Sequence, residues 1–219
     1  MVFSIISLNN KKIEKFVKES LKELKDFFGI DLQNPLVFIV PNRKIINLLI
    51  KHKTENWLVA WANYPQNAIY LLDPKNYKKE SIHIYSKEKY YARIKHELVH
   101  LFVNKICELD FVKPVWLSEG IAIYLSGQNK FKKIPNDAEF GCFLDSFGEH
   151  KDGVYKESGF AVKILIEKYG KYKFLELLKK LKTMKSKEEF NIIFQDIYGF
   201  ELNYKIFNIH KNYIKNRFC

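Results

Sequence analysis

The run RIKHELVHLFV, Arg93 to Val103, restricts the fold of this chain more than any other stretch. It predicts a helix from about Lys87 to Lys105, because apolar residues recur through it at helical spacing. Residues four apart on a helix differ by only about 40° around its axis, so His96 and His100 project from one face, one turn apart. Leu98, Val99, Phe102 and Val103 supply apolar surface for packing, so the helix is expected to be buried and its histidines held rigidly.

Two imidazoles at that spacing can chelate one cation. Glu97, about 100° round from His96, does not readily reach the same ion but can reach a water bound to it. Such a site needs a third donor, and the segment PVWLSEGIAIYLSG provides a candidate. Pro114 can open a helix there and Gly127 can close it. Glu119 lies on that helix among Trp116, Leu117, Ile121 and Ile123, where an unpaired charge is costly and a metal removes the cost. The small residues Gly120 and Ala122 are expected to let Glu119's helix approach the histidine helix closely.

Around these segments the first half of the chain alternates element types. NKKIEKFVKESLKELKDFFG reads as a helix with Gly29 after its C-terminus. PLVFIVP, Pro35 to Pro41, reads as a strand, RKIINLLIKH as a helix, and NWLVAWANY with NAIYLLDP as a hairpin. From about Ser86 the pattern turns helical. A helix from about Val115 to Ser126 is followed by an irregular connection over Phe131 to Gly153. Helices are then expected at about Glu157 to Tyr169 and Tyr172 to Thr183, and again toward the C-terminus. The length of 219 residues suits one sizeable core. The expectation is an α+β fold in a single domain, 1–219, with an α/β part over about 1–85 and a helical part over about 86–219.

The formal charge of +12 raises the question of an acidic partner. The excess is almost entirely lysine, spaced singly or in pairs among glutamates, as in KKIEKFVKESLKELKDF, which reads as the solvated face of amphipathic helices. Nucleic-acid binding is therefore the minor reading. Cys107, Cys142 and Cys219 are far apart and odd in number, so they are expected to be reduced. The N-terminal MVFSIISLNNKK lacks a basic segment and a cleavage signal, which predicts no signal peptide and a cytoplasmic location. No apolar stretch approaches the length of a membrane span.

His96-Glu97-x-x-His100, eighteen further residues, and Glu119 within WLSEGIA resemble the gluzincin pattern of zinc peptidases. The similarity is to the aminopeptidase-type and short peptidase-MA-like members, and it covers roughly Trp57 to Leu181. It implies a zincin-like fold: a small mixed-sheet N-terminal lobe with the active-site helix, followed by a mostly helical lobe. It also implies one zinc ion on His96, His100 and Glu119, with Glu97 as the catalytic base. Three protein ligands and an open position bring the pKa of a zinc-bound water toward about 7, and Glu97 would pass its proton to the leaving amine. Tyr155, at the start of the helical region after the connection, is the first candidate for the oxyanion donor and His150 the second. The Gly-x-Met-Glu-Asn signature of long aminopeptidases does not precede His96. Peptide or protein substrates, cleaved internally rather than from a free amine, are expected, with the strand QNAIYLL as an edge that pairs with an extended peptide. The alternative is a non-catalytic zincin fold, or a basic module for acidic partners or nucleic acid.

Overall fold

The computed structural model describes residues 11–134, 140–151 and 153–211. The chain divides into two compact units, residues 1–101 and 102–219, and the division falls inside one continuous helix. No helix among the described residues is long and apolar enough to cross a membrane.

The first unit opens with α1 (Lys11–Phe28), which buries Ile13, Val17, Ser20, Leu24 and Phe28. Those positions recur every three or four residues, so one stripe faces the core while Lys11, Lys12, Lys15, Lys18, Lys22 and Lys25 are exposed. The lysine spacing in this helix is thus the solvated face that its pattern implies. After β1 (Leu36–Val40) comes α2 (Arg43–Ile50), whose cap Asn42 accepts a hydrogen bond from the Ile45 amide at 3.1 Å. Strands β2 (Ala60–Asn63) and β3 (Ala68–Leu72) form the expected antiparallel hairpin.

The sheet order β1-β3-β2 corrects one expectation. β3 carries the QNAIYLL segment and is the central strand, paired in parallel with β1 and antiparallel with β2. Its backbone groups are taken on both sides, so it cannot accept a peptide as a further strand. A cross-strand stack of Phe38, Tyr70 and Trp61 follows from that register, with ring centroids 4.8 and 4.6 Å apart. Arg43 ties the surrounding loops together. Its guanidinium donates to the carbonyls of Leu58, Asn56 and Glu80, and its backbone amide donates to the Glu80 carboxylate at 2.9 Å. A short helix the periodicity did not foretell, α3 (Tyr77–Glu80), precedes α4 (Lys87–Cys107).

The second unit takes the last turns of α4 and then α5 (Val115–Leu125), α6 (Val154–Tyr169), α7 (Lys171–Lys180), α8 (Lys187–Tyr198) and α9 (Tyr204–Ile209). Its core is aromatic: the buried Trp116 ring meets Phe143 edge-on at 5.1 Å, and Phe143 meets Phe207 edge-on at 5.1 Å. Cys107 and Cys142 are free thiols, as expected, and Cys219 lies outside the described residues. Burial pushes the Cys107 thiol up to about 12.

Helices α5 and α6 approach closely because of Gly120. A Cβ built there would lie 2.6 Å from Cγ2 of Val162 and 2.7 Å from the backbone oxygen of Ser158. The space Gly120 leaves is thus filled by α6, rather than serving the histidine helix as its neighbourhood to Glu119 implied. Alanine normally favours a helix over glycine by about 1 kcal/mol. Here the clash is with a backbone carbonyl that cannot rotate away, and overpacking costs about 1–3 kcal/mol. Gly120→Ala is therefore expected to lower stability by up to about 2 kcal/mol net, read as a lower urea midpoint at unchanged slope. A midpoint that rises would show that helix propensity wins and that the close approach yields.

Candidate metal centre

Helix α4 brings its chemistry to the interior in one stretch. From Leu98 to Asn104 every residue is buried except the half-buried His100, and His96 and Glu97 are each 8 % exposed. Helix geometry then sets the histidine pair. Nε2 of His100 lies 3.1 Å from Nε2 of His96, with ring centroids 4.7 Å apart and planes near perpendicular at 77°. Two ring nitrogens this close either share a proton or turn their lone pairs on one cation.

Glu119 is set by α5. Pro114, with φ −70° and ψ 143°, stands immediately ahead of the helix, as its fixed φ suits. The first two amides of α5 donate to the connection that follows: Val115 to the Phe147 carbonyl and Trp116 to the Ser146 carbonyl, both at 2.9 Å. Every residue from Val115 to Ile123 is buried, so Glu119, 7 % exposed, sits in apolar surroundings. Burial of a carboxylate there demands compensation.

His96, His100 and Glu119 each offer one ligand atom, and these atoms all lie within 4.8 Å of one another. Arms of 2.0–2.1 Å from a tetrahedral zinc place neighbouring ligand atoms about 3.4 Å apart. The 3.1 Å between the two histidine nitrogens is close to that edge. Two imidazoles and a carboxylate are also the N and O donors that zinc takes. By convergence and donor chemistry these residues could hold one metal ion, and their donors are of the kind zinc takes.

The residues around the three donors fall in two groups. On the histidine side, burial pushes the Tyr77 phenol up to about 12, with Arg93 opposing the shift and the Glu97 charge adding to it. Tyr77 is therefore a neutral phenol within electrostatic reach of Glu97, a neighbour the sequence did not disclose. On the glutamate side, His150 donates from Nε2 to Oε1 of Glu119 at 2.9 Å. Tyr155, on the first turn of α6, stacks on the His150 ring at 5.7 Å with planes 11° apart. The carboxylate hydrogen bond holds the His150 imidazole above its ordinary range, against the lowering that burial alone produces. No local signal in the sequence links His150 to Glu119, because they stand 31 residues apart across an irregular connection.

That connection is itself anchored. Oε2 of Glu157 accepts from the amides of Gly141, Cys142 and Phe143 at 3.1–3.2 Å, and Ser146 Oγ accepts from the Lys151 amide at 3.1 Å. A loop held by so many backbone hydrogen bonds keeps its side chains in register.

Neither the curated proteins nor the solved structures contain a match to the chain. The peptidase MA superfamily matches residues 81–216, more than half of the sequence and the part that carries His96, Glu97, His100, Glu119, His150 and Tyr155. A histidine pair one helical turn apart, a buried glutamate converging on it, and a family match spanning both helices agree, and the chain belongs to the peptidase MA superfamily.

Proposed function

We propose that the protein is a zinc-dependent peptidase of the gluzincin type, with His96, His100 and Glu119 as the zinc ligands and Glu97 as the general base. The observation that carries this reading is the convergence of three ligand atoms within 4.8 Å inside the region the family matches. When bound, zinc supplies Lewis acidity toward a scissile carbonyl and its attacking water. Glu97 holds and moves the proton: adjacent to His96 but on a different side of α4, it accepts a proton from the attacking water and delivers it to the leaving amine. Tyr155 or His150 supplies the donor toward the developing oxyanion, and their stacking keeps the two candidates side by side.

Internal cleavage is favoured over removal of an N-terminal residue. An aminopeptidase needs a carboxylate to hold the substrate's free amine, and the segment before His96 lacks the signature that provides one in the long aminopeptidases. The metal and the activity are tested together on the purified chain. The expected result is about one zinc per chain by elemental analysis, and cleavage of unfolded protein substrates at internal bonds that stops when a chelator strips the metal. A chain that takes up no zinc at micromolar levels is incompatible with this function.

A further inference from the structure

We propose that His150 is the positioning residue of the metal site. Its Nε2 holds Oε1 of Glu119 so that the carboxylate meets a cation in one fixed orientation, and the Tyr155 ring locks the imidazole in place. The inference rests on the zinc reading above and concerns how strongly that site holds its metal.

Three observations carry it. Glu119 is almost fully buried on a mostly apolar helix, so a polar group that reaches its carboxylate bears on how that carboxylate is oriented. The 2.9 Å contact to His150 is a charge-assisted hydrogen bond, shorter and stronger than a neutral one. The His150 side chain is 39 % exposed, and the contacts that hold it come from the connection and from α6. Ser146 and Phe147 cap α5 with their carbonyls, Ser146 Oγ binds the Lys151 amide beside His150, and Tyr155 stacks on the ring from α6. The same connection therefore fixes both the start of the helix that carries Glu119 and the residue that orients its carboxylate. With Oε1 held by His150, the Glu119 carboxylate would meet a bound metal in one orientation rather than several. His150 Nε2 is correspondingly committed to the ligand, which leaves Tyr155 as the stronger candidate for the oxyanion donor.

Hydrogen-bonded partners of metal ligands typically contribute a factor of about 10–100 in metal affinity. The test is zinc affinity, measured by competition with a chromophoric chelator on the full chain. His150→Ala is expected to bind zinc about 10–100-fold more weakly than the wild type. His150→Gln, which keeps an N–H donor, is expected to recover most of that loss, and Tyr155→Phe, which keeps the stacking ring, to stay near the wild type. Equal affinity of His150→Ala and the wild type overturns the proposal. So does a folded His150→Gln protein as weak as His150→Ala, because the ring would then be acting by packing alone. Should His150→Ala fail to fold, the comparison of His150→Gln with the wild type decides, a 10-fold or greater loss in Gln counting against the proposal. A wild-type chain that binds no zinc at all sinks the peptidase reading itself, an outcome distinct from variants that bind as tightly as a zinc-loaded wild type.

Discussion

Glu97→Gln is expected to slow peptide hydrolysis by about 10²–10⁴-fold, the usual contribution of a positioned general base, while zinc content stays at one per chain. The substitution keeps the volume and hydrogen-bonding reach of the side chain and removes only its ability to accept a proton. Glu97 lies about 100° round the helix from His96, so it is not among the three converging donors, and the metal should be retained. Steady-state rates on an internally quenched peptide, with elemental analysis of the same sample, separate the two effects. A variant that loses zinc along with activity would show that Glu97 ligates or orients the metal. One that loses neither would remove Glu97 from the chemistry.

His100→Ala is expected to abolish both zinc binding and activity. Two remaining donors cannot hold zinc against solvent as three do, since tight sites close with three or four protein ligands. Thermal unfolding provides a readout independent of catalysis. Zinc at one hundred times its Kd stabilises the wild type by about 2.7 kcal/mol, which for a chain of this size raises Tm by roughly 5–10 °C. The variant should show no zinc-dependent shift, and its metal-free circular dichroism should match that of the wild type because His100 is only half-buried. A full zinc-dependent rise in Tm for His100→Ala would mean that the metal sits elsewhere.

The site and the fold were legible in the sequence to different depths. His96 and His100 were readable because a single helix relates them: 3.6 residues per turn places positions four apart on one face wherever the helix sits. The strands over Leu36–Val40 and Ala68–Leu72 and the helices α1, α4, α5 and α6 were readable from periodicity, turn residues and terminal glycines and prolines. Glu119 was readable as a candidate because a carboxylate amid Trp116, Leu117, Ile121 and Ile123 needs a reason to be buried. α3 was missed because four residues carry too little periodicity to be seen.

The placement of β3 in the middle of its sheet was not legible either. The parallel partner β1 lies some thirty residues upstream, and strand order depends on which edges meet in space. Gly120 shows the same limit from another side. Its small size announced a close helix approach, but only the assembled α5 and α6 reveal that Ser158 and Val162 fill the space.

What the amino-acid order determined alone is the set of donor types, their spacing on each helix, and the burial of those helices, because these depend on local geometry and on the patterning of apolar residues. What only the tertiary structure decided is the convergence of Glu119 on the histidine pair and the bond from His150 that orients it. Those contacts join residues 19 to 31 positions apart through loops whose path no local propensity encodes.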